Sequence, residues 1–216
     1  MEITYIGHSC FKIKGKDVTL VIDPYDPKIG YKLPKLECDI LLSTHNHFDH
    51  HYIEGVSGYK LLVDTPGEYE TEGVFIYGIP VYHDDKDGKE RGQMTVFLID
   101  IDGLTLLHLG DLGHSLSKET LEKISDVDVL MIPVGGKYTI DAEIAAEVIS
   151  EIEPGYVIPM HYKTNDLAGI KDVDGVDKFL DEMGVENNIK KDDKLKISGK
   201  SDVPDDTQVV ILNPAH

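Results

Sequence analysis

The chain has 216 residues, 41% hydrophobic and 28% charged, an ordinary globular mix with enough length for one substantial core. Against 21 basic residues stand 40 acidic ones, a net charge of −19, which disfavours nucleic acid because no dense Lys/Arg run offsets it. No apolar run can span a bilayer, the first strand pattern has no basic segment before it, and two cysteines, Cys10 and Cys38, are too few for a disulfide framework, so one cytoplasmic domain over 1–216 is expected.

Residues 2–6, 10–14 and 18–23 read as strands, separated by Gly7-His8-Ser9 and by a turn at Gly15-Lys16-Asp17. The third is nearly all apolar, as an internal strand should be, and stops at Asp23-Pro24. An aspartate at that place is expected to brace a neighbouring loop. Residues 24–37, with three prolines, read as an irregular surface loop. Asp39-Ile40-Leu41-Leu42 is then a short buried strand feeding Ser43-Thr44-His45-Asn46-His47-Phe48-Asp49-His50-His51. Five of those nine residues can bind a metal. In an extended segment, i and i+2 share a side, so His45 and His47 can converge on one cation. A helix starting after Phe48 would let Asp49 and His50 face a second. Imidazole suits zinc and its first-row neighbours.

His45-x-His47-x-Asp49-His50 resembles the HxHxDH signature of the metallo-β-lactamase superfamily of metal-dependent hydrolases. The branch it resembles includes the ascorbate-phosphate lactonase and many uncharacterised hydrolases. That branch often carries an early Gly-His-Ser segment, so His8 could line the active site; an ordinary turn histidine is the alternative.

Further strands are expected at 61–63 and 74–77, with a turn at 66–69 between them. His83 closes the apolar run 79–82 and occupies the place of the superfamily's third histidine. Arg91 could reach an anionic substrate or pair with Asp84, Asp85 or Asp87. After a strand at 94–99, residues 104–109 form another that ends in Gly110-Asp111. This resembles the motif whose aspartate bridges two metals; its two oxygens would hold the ions about 3.5–4 Å apart. His108 has the opposite strand parity and reads as structural, while the role of His114 is left open. A short helix is expected at 117–124 with Ser117 as N-cap, then a strand at 127–132. Gly135-Gly136 before the next helix is either an anion pocket or a flexible turn. Ile144, Ala145, Val148, Ile149 and Ile152 share one helical face, stopped by Pro154-Gly155. The strand 156–160 ends in His161, which resembles the last ligand motif. Lys163 follows on the rim, where it could contact an anion. A helix at 172–183 and strands at 194–197 and 208–212 close the chain.

The resemblance implies an α+β fold, the αβ/βα four-layer sandwich, with helices on the outer faces. It implies one metal site of His45, His47 and His83 and a second of Asp49, His50 and His161, with Asp111 bridging. Three histidines leave an open position, the catalytic pattern. Metal lowers the pKa of bound water to about 7, so hydroxide could attack an ester-type bond, a lactone or phosphodiester, of a small anionic substrate, with Asp49 orienting it. Two zinc ions are the first expectation; manganese, iron or nickel also suit such sites. Fold and ligands are shared across several chemistries, so three alternatives stand: a metal-dependent nuclease, which the charge disfavours; a di-iron oxidoreductase, which needs a flavin partner; and a non-catalytic metal-binding protein.

Overall fold

Alternation along the first strands decides which residues turn inward. Ile3, Tyr5, Phe11, Ile13, Leu20 and Ile22 enter one buried cluster, whereas Ile6, Cys10 and Val21 enter another on the opposite face. A sheet buried on both faces must be an inner layer. The computed structural model describes residues 1–164, 167, 169–185, 189 and 191–215 and bears this out.

The chain begins with β1 (Glu2–Gly7), β2 (Cys10–Lys14), β3 (Thr19–Ile22), β4 (Leu36–Glu37), β5 (Ile40–Leu42), β6 (Val56–Ser57) and β7 (Leu61–Val63). It continues with β8 (Gly67–Thr71), β9 (Val74–Tyr82), β10 (Gln93–Ile101), β11 (Leu104–His108), α1 (Lys118–Leu121), β12 (Val129–Pro133), α2 (Ala142–Ile152), β13 (Tyr156–Met160) and α3 (Val176–Glu182). Strands β14 (Leu195–Lys196) and β15 (Gln208–Val209) close it. The first sheet has the order β14-β1-β2-β3-β5-β7 and the second β15-β13-β12-β11-β10-β9-β8. In each sheet antiparallel strands come first and parallel ones follow: β3, β5 and β7 in one, and β11, β12, β13 and β15 in the other. The sheets meet face to face, with Phe11, Ile22 and Leu42 packed in one cluster with Phe97, Ile99 and Met131.

The outer face of the second sheet is covered by α2 and α3. Asp141 caps α2 by accepting from the Ile144 N–H, and Ala142, Ala145, Val148 and Ile149 face the sheet. Ser117 caps α1 as its sequence predicts. The outer face of the first sheet carries a different cover. Tyr25, Ile29, Tyr31 and Leu36 are buried there with Val56, beside a small ribbon of β4 and β6. Residues 24–37 are thus a packed layer rather than a surface loop. Residues 66–69 also differ from expectation: Gly67 opens β8, an edge strand paired with β9. Residues 74–82 form one continuous strand where two runs are expected. Among the described residues no helix is long and apolar enough to cross a membrane.

Candidate metal centre

The histidine-rich loop leaves the carboxyl end of β5, and His83, Asp111 and His161 follow the ends of β9, β11 and β13. Parallel strands put these ends on one rim. The loop does not continue as a helix after Phe48. It makes a single turn, closed by the N–H groups of His50 and His51 on the His47 carbonyl at 3.0 and 2.9 Å.

Two groups of ligand atoms result. The rings of His45, His47 and His83 lie 4.5–5.1 Å apart between centroids. His8, Asp49, His50 and His161 offer ligand atoms all within 4.8 Å of one another. Asp111 touches both groups: its Oδ2 is 3.5 Å from His83 Nε2 and 3.4 Å from His161 Nε2, and its Oδ1 is 3.1 Å from His50 Nε2.

A second tier of contacts aims the imidazoles. Asp23 is fully buried, and its Oδ1 accepts from the Thr44 N–H at 2.7 Å. Its Oδ2 accepts from the Thr44 hydroxyl and from His50 Nδ1, both at 2.8 Å. With its proton given to Asp23, the Thr44 hydroxyl can only accept from His45 Nδ1, 2.9 Å away. Both histidines therefore keep Nε2 free for a cation, and such outer partners fix tautomer and ring angle. The expected bracing role of Asp23 has a direct contact behind it. Thr44 was not singled out by sequence, although a threonine before the first histidine was the available signal. His51 turns away and contacts the Ser43 hydroxyl at 2.7 Å. His108 donates to the Ser9 carbonyl and accepts from the Gly110 N–H, the structural part its parity suggests.

The centre suits a divalent cation. His45 Nε2 is buried with no hydrogen-bond partner, an arrangement rare unless something else satisfies the atom. The donors are nitrogen and oxygen throughout, as zinc, manganese or iron accept. Cys10 and Cys38 lie in the cluster under the outer face of the first sheet and contribute nothing. Burial and the facing His50 hold His45 well below its ordinary pKa, so it is neutral and ready to ligate. Burial opposes ionisation of Asp49 and Asp111. Near Asp49, His50 and the hydrogen bond from His8 outweigh it; near Asp111, His161 and His50 do, and both carboxyls stay ionised.

Close backbone packing holds the last ligand in place. A Cβ on Gly135 would lie 2.1 Å from the His161 carbonyl oxygen. Gly135→Ala is expected to cost about 1–3 kcal/mol through overpacking and to weaken metal retention by displacing His161. Thermal unfolding and metal content check this; two unchanged values would show that the approach is not needed. At the helix after the Gly135-Gly136 turn, the Asp141 carboxylate accepts from the Ile144 N–H and so caps that N-terminus.

The centre opens into a cleft of about 350 Å³ whose walls include His47, Phe48, Asp49, Arg91, Tyr138 and Ile170. Of the three residues expected to meet substrate, Arg91 alone lines it. His8 is fully buried behind Asp49, donating to its Oδ2 at 3.1 Å and packing on the His161 ring at 4.2 Å between centroids. Lys163 is exposed and not part of the wall, which is formed there by Gly169 and Ile170. Phe48, Tyr138 and Ile170 were missed, since isolated apolar residues carry no sequence signal. His114 lines a neighbouring hollow, its ring accepting from the Tyr82 N–H and donating to the Ser115 carbonyl.

Residues 2–161 match the family model of the beta-lactamase superfamily domain. A protein of Thermoplasma volcanium named UPF0173 metal-dependent hydrolase is 31% identical over 193 residues, covering 77% of this chain and 86% of the relative. A Thermotoga maritima crystal structure, assigned to the Zn-dependent hydrolases of the metallo-β-lactamase superfamily, is 33% identical with a TM-score of 0.79, covering 98% of this chain and 97% of that one. CmlA, a diiron β-hydroxylase from Streptomyces venezuelae, shares the fold alone at 18% identity and a TM-score of 0.59, over 78% of this chain and 46% of its own.

Proposed function

The chain belongs to the metallo-β-lactamase superfamily as a metal-dependent hydrolase, and on that premise we propose that it holds two divalent ions, zinc first, and cleaves an ester-type bond, a lactone or phosphodiester, of a small anionic substrate. The carrying observation is the position of Asp111. One carboxylate lies within 3.5 Å of imidazole nitrogens from both ligand groups, the place a bridging ligand needs. On this reading His45, His47 and His83 hold the first ion, Asp49, His50 and His161 the second, and Asp111 both. Bound there, divalent ions would supply the activated water and the Lewis acidity that such hydrolysis needs.

The chain's own groups do the rest. Asp49 is ionised at the cleft wall and can accept a hydrogen bond that orients the attacking group, and the His8 hydrogen bond fixes which oxygen it presents. Asp23 and Thr44 keep His50 and His45 aimed, so little reorganisation is needed during reaction. The strong negative charge supports a small substrate over nucleic acid.

Metal content of protein purified without added metal, paired with a lactone and phosphodiester panel, tests the reading. About two zinc or manganese ions per chain with turnover is expected. A single ion with full turnover would overturn the dinuclear centre. Two irons without hydrolysis would favour redox chemistry, and no metal with no gain on adding zinc or manganese would remove the reading altogether.

A further inference from the structure

We propose that Arg91 anchors an anionic group in the cleft and that the substrate carries this group beside an apolar portion held by Phe48, Tyr138 and Ile170. The inference rests on the hydrolase reading of the cleft and specifies what that cleft selects.

Arg91 is the chain's only arginine, set among 40 acidic residues, yet among the described residues its guanidinium forms no ion pair. Two of the three acids that the sequence offers as its partners, Asp84 and Asp87, are otherwise engaged. Asp84 is 2% exposed and spends both oxygens on the backbone: Oδ1 accepts from the N–H groups of Lys86 and Gly88, each at 2.9 Å. Its Oδ2 accepts from those of Glu90 and Arg91 at 3.0 and 2.7 Å. Asp87 pairs with Lys89. The Arg91 guanidinium instead lies over the Tyr138 ring, 5.8 Å from its centroid. Among the described residues no hydrogen bond or ion pair occupies the guanidinium N–H groups, so they are available for a two-pronged contact with a carboxylate, sulfonate or phosphate.

The loop that presents Arg91 begins at His83, so Asp84 fixes the anchor's position relative to the metal centre. Across the same cleft Phe48 is 54% exposed, directly between His47 and Asp49. An exposed phenyl ring in a concave site, with Tyr138 and Ile170 nearby, is a contact surface for an apolar group. The cleft's volume of about 350 Å³ suits a small molecule with one apolar and one charged part.

The test uses metal-loaded protein and two readouts. The first compares 4-nitrophenyl butyrate, which is neutral, with mono-4-nitrophenyl glutarate, which is anionic. The wild type is expected to favour the anionic ester in kcat/KM. In Arg91→Met that preference should fall about 10–100-fold, the worth of a charged hydrogen-bonded contact, and Arg91→Lys should restore part of it. The second is calorimetric binding of benzenesulfonate and methanesulfonate. Arg91→Met should weaken both, and Phe48→Ala should narrow the gap between them. Metal content and melting temperature confirm that each variant is folded and loaded. An unchanged ester preference, or unchanged sulfonate binding, in Arg91→Met overturns the anchor. An unchanged gap in Phe48→Ala overturns the apolar portion. If the wild type cleaves neither ester, the carboxylic-ester part of the reading is at fault and the sulfonate arm alone decides: loss of binding in Arg91→Met supports the anchor, and equal binding overturns it.

Discussion

Asp111→Ala is expected to lower turnover and metal affinity by more than about a hundredfold each, since even partners one step behind a ligand are worth about 10–100-fold. Asp111 is 2% exposed and touches ligand nitrogens on both sides of the centre. Alanine removes the one carboxylate shared by the two groups and leaves His50, His83 and His161 facing a void. Asp111→Asn separates shape from charge: it fills the same volume, but its amide offers one acceptor where a bridge needs two. The alanine variant should fold and lose metal, and the asparagine variant should keep one ion more readily than two. Elemental analysis with steady-state kinetics checks both. Full metal content with unchanged turnover in Asp111→Ala would take Asp111 out of the mechanism.

Asp23→Ala is expected to destabilise the metal-free protein by about 3–5 kcal/mol, the usual cost of removing one partner of a buried ion pair. The cost has three visible sources. His50 Nδ1, the Thr44 hydroxyl and the Thr44 N–H would each lose an acceptor in a fully buried place. Asp23 also sits at φ 48°, a left-handed conformation that aspartate and asparagine adopt more readily than most side chains. Asp23→Asn therefore isolates the charge, keeping the backbone preference and one acceptor. Metal affinity should fall about 10–100-fold in either variant because the His50 ring is no longer held. Denaturant unfolding without metal, followed by competition for zinc with a chelator, reads the two effects separately. Unchanged zinc affinity in both variants would reduce Asp23 to a packing residue.

The metal loop was legible because its chemistry is dense: His45, His47, Asp49 and His50 fall within six positions, each with a type a core seldom needs. His83, Asp111 and His161 were legible because each follows an apolar strand. Contacts across the chain were not. The partner of His8 is Asp49, 41 residues away, and nothing near Gly7-His8-Ser9 indicates it. The cover formed by residues 24–37 was misread because prolines and lysines mask buried Tyr25, Ile29 and Tyr31. Strand β8 was read as a turn because its sequence, Gly67-Glu68-Tyr69-Glu70-Thr71, is mostly polar, which an edge strand tolerates. Lys163 looked like a rim cation, but where a side chain points after a strand end depends on the backbone there. His161 itself sits at φ 52°, and no composition rule anticipates such a turn.

The ligands are divided between the sheets: the loop after β5 belongs to the first, and His83, Asp111 and His161 to the second. An ion held by these residues would therefore act as a cross-link between two halves otherwise joined by apolar packing. An ion present at a hundred times its dissociation constant adds about 2.7 kcal/mol to the folded state. Set against a typical total of about 5–15 kcal/mol, that is a sizeable share. The persistence of this protein in a cell would then follow metal supply as well as temperature, with starved copies opening along the seam between the sheets and becoming accessible to proteases first.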